Sequence, residues 1–309
     1  MRKQLCLALT AGAAMALTAC GSNASGSGDA PLKGASFVIG GKDFSEQSIL
    51  AQLTAQLLKK NGANVSTKQI TGSVNTRKAL ESGDISLYWE YTGTAWVTYL
   101  KNAQPIKSAQ AQYDAVAKDD LAKNGVKWLP PGQFNNTYAF ATPEAFAQKN
   151  NLSTMSSAAA FLKSNPGQGT FCVESEFASR DDGLDGMLKA YGIPKATANV
   201  KTLDTGVIYT ETAKGVTCNF GEVFTTDGRI PNLKLKVMED DKSFFPVYQG
   251  APTLLKTTLD KYPMIADIVK PLEEKLTTEE IQKLNAQVDV DGLKPEKVAE
   301  KWLQEQKLL

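Results

Sequence analysis

The chain has 309 residues, 34 basic and 33 acidic side chains, and no histidine. Near-neutral charge argues against a nucleic-acid partner, which needs a basic patch or stripe. The missing histidines remove the commonest general acid–base residue and metal ligand and the Ser-His-Asp and Cys-His nucleophile systems. The length fits two domains of roughly 100–200 residues.

At the start, Arg2 and Lys3 precede an apolar run from Leu5 to Leu17 that ends in Leu17-Thr18-Ala19-Cys20. A basic start, a short apolar middle and small residues predict a signal peptide over residues 1–19. The run is shorter than the ~20 residues that span a bilayer. Cysteine directly after the small residues fits a lipoprotein signal, with Cys20 lipidated; an ordinary signal peptide with an incidental cysteine is the competing reading. Residues 20–31, with the run GSNASGSGDA, read as a lipidated cysteine followed by a flexible tether. Cys6 leaves with the leader, so Cys172 and Cys218 remain as an even pair, which in an exported chain predicts one disulfide; two separate buried thiols are the alternative. Its 45-residue loop predicts a stabilisation of about 3–4 kcal/mol from chain entropy.

The body alternates strand and helix signals. Phe37-Val38-Ile39 predicts a strand entering a tight turn at Gly40-Gly41. Ser45 is a candidate cap for a helix with Glu46 in its first turn and Ile49, Leu50, Leu53, Leu57 and Leu58 on one face. Strands follow at about 65–70, 85–89, 138–141, 170–174, 219–224 and 233–238, with helices at 108–124 and 181–191 between them. This order predicts an α/β fold with mainly parallel sheet. From Leu259 the signals are all helical, with breaks expected at Pro263, Pro271 and Asp291-Gly292.

Several motifs lose to simpler readings. Gly40-Gly41-Lys42 lacks a phosphate loop's other positions, which here are Ser36 and Asp43. Lys42 remains either an anion-facing lysine at a strand–helix junction or a solvated one. Asp289-Val290-Asp291-Gly292 has its glycine too early for a calcium loop and reads as a turn. Asp181-Asp182 and Asp240-Asp241 read as solvated surface acids, not paired glycosidase carboxylates. No metal site and no cofactor are expected.

Aromatics recur where strands end: Tyr88-Trp89-Glu90-Tyr91 before Thr92-Gly93-Thr94, Tyr138 after Asn135-Asn136-Thr137, Phe224 before Thr225-Thr226-Asp227-Gly228, and Phe244-Phe245-Pro246-Val247-Tyr248. Strand ends in an open α/β sheet border the ligand crevice. Several aromatic faces suit a quaternary ammonium, which has no N–H to donate and is drawn to ring quadrupoles. Spacing alone does not select that ligand, and core packing competes at each position.

At these residues the chain resembles the substrate-binding lipoproteins of osmoprotectant ABC importers, which capture glycine betaine, carnitine, choline and related compounds. The resemblance covers residues 35–309. It rests on Ile39-Gly40-Gly41-Lys42-Asp43-Phe44-Ser45-Glu46-Gln47, Glu90-Tyr91-Thr92-Gly93-Thr94, Asn136-Thr137-Tyr138-Ala139, Glu176-Phe177 with Arg180, Thr226-Asp227-Gly228-Arg229, Asp240-Asp241-Lys242 through Tyr248, and Leu284-Asn285. It implies a two-lobed periplasmic-binding-protein fold of type II with two hinge crossovers, lobe one being 32–137 and 243–309 and lobe two 138–242. Both cysteines then fall in lobe two.

The resemblance further implies an aromatic cage of Tyr91, Tyr138, Phe224 and Tyr248, with the main chain near Asn136 completing it. Lys42, Thr94 and Arg180 would hold a ligand carboxylate. Tyrosine is usual in the family where this chain has Phe224. Two cations in one site argue by charge for a betaine over choline, since only a betaine brings an anion. The expected protein is a non-enzymatic monomer on the extracytoplasmic side of a bacterial cell membrane, anchored through Cys20 and delivering its ligand to an ABC permease. A choline-preferring protein, a binder of amino acids or polyols, and an exported carboxylate-based hydrolase are the competing readings.

Overall fold

Strand pairing divides the chain into two sheet units. The computed structural model describes residues 30–102 and 106–309; the expected signal peptide, Cys20 and nearly all of the tether lie outside them. The first unit contains β1 (Ser36–Lys42), β2 (Asn64–Ile70), β3 (Tyr88–Tyr91) and β4 (Val126–Trp128). The second contains β5 (Tyr138–Pro143), β6 (Thr170–Val173), β7 (Asn199–Thr202), β8 (Phe220–Phe224) and β9 (Leu235–Val237). The chain then returns to the first unit as β10 (Gly250–Leu255), which lies between β3 and β4.

The two units share one plan. A parallel bridge between Ile39 and Leu87 joins the β1–β2 pair to the segment leading into β3. The first order is therefore β2-β1-β3-β10-β4, and the second is β7-β6-β8-β5-β9. In each, the fourth strand is the one that enters from the other unit. It enters where its neighbours end and runs against them, so β5 and β10 are antiparallel to both of their partners. The expectation of mainly parallel sheet is corrected accordingly: both sheets are mixed because each accepts a crossover strand.

Local chemistry explains other departures from the sequence reading. Gly40 and Gly41 form no turn and lie inside β1. A Cβ on Gly40 would meet Ile85 Cδ1 at 2.4 Å, so the glycine permits close packing against the segment before β3. Helix Ser45–Lys60 begins at Ser45 with Phe44 in the capping position, and the Ser45 hydroxyl donates to Asp289 Oδ1 at 2.5 Å instead of capping. Pro271 does not break its helix, which runs from Met264 to Lys275. An interior proline costs ~3 kcal/mol, and here Ile265, Val269 and Leu272 are buried along the same helix. Burying side chains of that size returns ~1.5–3 kcal/mol each.

Core packing joins the two units. Ile49, Leu50, Leu53 and Leu57 of helix Ser45–Lys60 share an apolar cluster with Trp302 and Leu303 of the terminal helix Pro295–Glu305. The same cluster continues through Trp89, Phe134 and Tyr248 to Tyr138, Phe140, Phe171 and Phe177. Cys172 and Cys218 form a disulfide with their Cα atoms 5.7 Å apart, joining β6 to the segment before β8 and packing with Ile208.

Candidate functional site

The last residues of β1, β3 and β8 are Lys42, Tyr91 and Phe224, and the first residue of β5 is Tyr138. Their strand ends meet at a cavity of about 480 Å³ between the two sheet units. Thr94, Asn136, Arg180 and Tyr248 line it too, so every expected ligand-contacting residue reaches one space. Antiparallel register sets Tyr138 opposite Phe224, and their ring centroids are 5.2 Å apart. Tyr248 meets Tyr138 edge-on at 5.2 Å. A Cβ at Gly93 would come within 2.6 Å of the Tyr248 ring, which is why the Thr92–Thr94 turn tolerates that ring beside it.

Phe44 is an aromatic wall that the residue patterns left unassigned. Its ring stacks on Phe224 at 5.5 Å and 17°, and lies 6.3 Å from Tyr91 at 22°. The ring at position 224 thus keeps a stacking partner without a hydroxyl. The sequence signal for Phe44 is its place in the block Ile39–Gln47 that carries the family resemblance, two residues beyond Lys42.

The cations differ from the sequence expectation. Lys42 is 4% exposed and Glu90 0%, with Lys42 Nζ 2.5 Å from Glu90 Oε1 and 5.0 Å above the Tyr91 ring centroid. Glu90 also accepts from the Tyr91 amide and the hydroxyls of Tyr88 and Tyr99. Arg180 makes a paired contact with Asp182, Nε to Oδ1 at 2.7 Å and Nη2 to Oδ2 at 2.6 Å, and its Nη1 reaches Glu176 Oε1 at 3.1 Å. Both cations are therefore neutralised by the protein, and the excess positive charge inferred from sequence is absent. Asp182, expected on the solvated surface, is 6% exposed and binds both Arg180 and the Tyr248 hydroxyl.

Two cage hydroxyls are committed to buried acids. Tyr91 donates to Glu46 Oε1 at 2.6 Å and accepts from Gln47 Nε2 at 3.0 Å. Tyr248 donates to Asp182 Oδ2 at 2.5 Å. Burial, together with these neighbouring carboxylates, holds both phenols well above the ordinary tyrosine range, so they remain neutral. Ser73 and Glu176 also line the cavity, and the Ser73 amide donates to Glu176 Oε2 at 3.0 Å. Burial works against the Glu176 anion, but the Lys42 charge, the Ser73 donor and Arg180 hold its carboxyl below the usual range. Among the described residues no cluster of His, Cys, Asp and Glu is arranged to hold a metal ion.

A two-unit α/β frame with an aromatic-lined cavity at the strand ends defines a solute-binding protein of the type II periplasmic class. Residues 35–305 match the model of the substrate-binding domain of the ABC-type glycine betaine transport system, and the chain belongs to that family. It is 38% identical over 276 residues to a glycine-betaine-binding protein of Pseudomonas aeruginosa, covering 88% of each chain. It is 34% identical over 271 residues to the ergothioneine transport permease/ergothioneine binding protein EgtU of Helicobacter pylori, covering 86% of this chain and 47% of that one. A crystal structure of a glycine betaine/carnitine/choline ABC transporter superposes with a TM-score of 0.72 at 27% identity, covering 88% of this chain and 99% of that one.

Beneath the site, Glu222 of β8 is buried, and desolvation pushes its carboxyl up to about 8 against the Glu174 amide, which donates to Oε2 at 2.7 Å. The folded protein keeps this proton up to about pH 8, whereas an unfolded chain releases it near pH 4.3. Glu222 therefore lowers stability as pH rises across that window, by up to about 1.4 kcal/mol per pH unit. In thermal melts, Glu222→Gln should gain on wild type between pH 5 and pH 8; an unchanged difference would contradict this assignment.

Proposed function

We propose that the protein captures a quaternary-ammonium compatible solute, glycine betaine or a related betaine, in this cavity and passes it to an ABC permease. The observation that carries the reading is the set of rings from both sheet units around one space: Tyr91, Tyr138, Phe224 and Tyr248, with Phe44 lining it too and stacked against two of them. Each face offers a cation ~0.5–2 kcal/mol without demanding an N–H donor. At the polar side, Arg180 commits three N–H groups to Asp182 and Glu176, leaving two of its five for a carboxylate. Lys42 keeps ammonium protons beyond the one given to Glu90, and Thr94 lines the same cavity.

Preference for a betaine over choline thus rests on donors left over for a carboxylate and on the glycine-betaine-binding relative, in place of an excess charge. The lobes would be 32–137 with 243–309, and 138–242, closing on the ligand about the two crossovers. Binding without chemistry follows from this role. Residues 20–31 would tether the body to the outer face of the membrane through lipid on Cys20, keeping a monomeric trap near its permease.

Calorimetry with glycine betaine, choline, an amino acid and a polyol tests the ligand class. Glycine betaine should bind tightest, and Tyr91→Ala should weaken it at least tenfold. Tighter choline binding would reverse the ranking, a response only to amino acids or polyols would remove the quaternary-amine reading, and unchanged affinity would take Tyr91 out of the cage. In cells, Cys20→Ala should release the protein from the membrane fraction with its ligand affinity intact; retention would refute the anchor.

A further inference from the structure

Glu46 differs from Glu90 and Asp182, buried acids around the cavity that are paired with a cation. It is 2% exposed and lies in the first turn of helix Ser45–Lys60. Oε1 accepts from the Tyr91 hydroxyl at 2.6 Å and Asn136 Nδ2 at 3.0 Å; Oε2 accepts from the Thr226 hydroxyl at 2.5 Å and Asn285 Nδ2 at 3.1 Å. All four donors are neutral. Glu90 and Asp182, by contrast, face Lys42 and Arg180. Two of the four donors are amide N–H groups, which can only give a hydrogen bond, and the helix N-terminus also favours a negative charge. Burial holds the Glu46 carboxyl above the ordinary carboxylate range, and the four hydrogen bonds offset part of that rise.

A buried carboxylate without a countercharge is a poor choice for packing, because an amide or apolar side chain escapes the desolvation cost. Its position gives it another use. One hydrogen bond separates it from the ring of Tyr91. A phenol donating to a carboxylate is polarised toward the acid, which makes its ring face more negative, and that face is what attracts a cation.

We propose that Glu46 is a positioning residue that acts through the Tyr91 hydroxyl to make the cage select a positive head group over a neutral one of the same shape. The inference rests on the quaternary-amine reading of the cavity and adds the source of its charge discrimination. Thr226 and Asn136 give the same acid a grip on β8's outgoing segment and on the first connection between the units. Ring orientation and ring charge are therefore set from one point.

The test compares glycine betaine with 3,3-dimethylbutanoate, in which carbon replaces the quaternary nitrogen. Affinities are measured by competition, for wild type and Glu46→Gln. The expected result is a loss of at least tenfold for glycine betaine and less than threefold for the neutral-headed analogue, so that the preference collapses. Equal losses for the two ligands, or no loss for either, would overturn the proposal. Should Glu46→Gln fail to fold, Tyr91→Phe removes the connecting hydroxyl and leaves the ring; a reduced preference supports the proposal and an unchanged one refutes it. If wild type does not bind glycine betaine, both this inference and the cage reading fall. If it binds and the variants keep its preference, only this inference falls.

Discussion

Charge held away from water governs how this cavity is built. Lys42, Arg180, Glu46, Glu90 and Asp182 are all largely withdrawn from solvent, and each must recover its lost hydration from aimed partners. Glu90 does so through Lys42, the Tyr91 amide and two tyrosine hydroxyls. Asp182 does so through Arg180 and Tyr248. Glu46 and Asp182 accept from the hydroxyls of Tyr91 and Tyr248, so the polar network that satisfies these acids also orients two of the aromatic walls.

Topology brings those groups together. In both sheets the third-ranked strand ends at the cavity, as β3 with Tyr91 and β8 with Phe224. The crossover strand β5 then begins there with Tyr138, opposite Phe224 in register. A plan used twice therefore supplies walls from two sides of one crevice. Tyr248 comes from the second connection, where the Asn135 side chain accepts from its amide at 2.7 Å and Asp182 from its hydroxyl. Closure of such a crevice would bring the walls together around a ligand and exclude water from it.

Much of this was legible in the chain because Tyr91, Tyr138 and Phe224 are strand-end aromatics, and the blocks of the wall residues resemble one family in order. The alternation of elements was also readable, as were the caesurae at Pro263 and Asp291-Gly292. What stayed hidden depends on distant pairing. Lys42 and Glu90 lie 48 positions apart, and Tyr248 and Asp182 lie 66 apart, so no local spacing shows that the cations are neutralised. Gly40-Gly41 read as a turn because the packing of Ile85 against Gly40 exists only after folding. β10 escaped notice because Pro252 argues against a central strand, yet it pairs with both β3 and β4.

A crystal structure with glycine betaine bound tests the central claim most directly. The trimethylammonium group should sit against the faces of Tyr91, Tyr138, Phe224 and Tyr248, with the carboxylate toward Lys42, Thr94 and Arg180. A ligand found instead in the neighbouring cavity bordered by Lys189, Lys242 and Phe244, or held in the main cavity with its nitrogen away from the rings, would contradict the account.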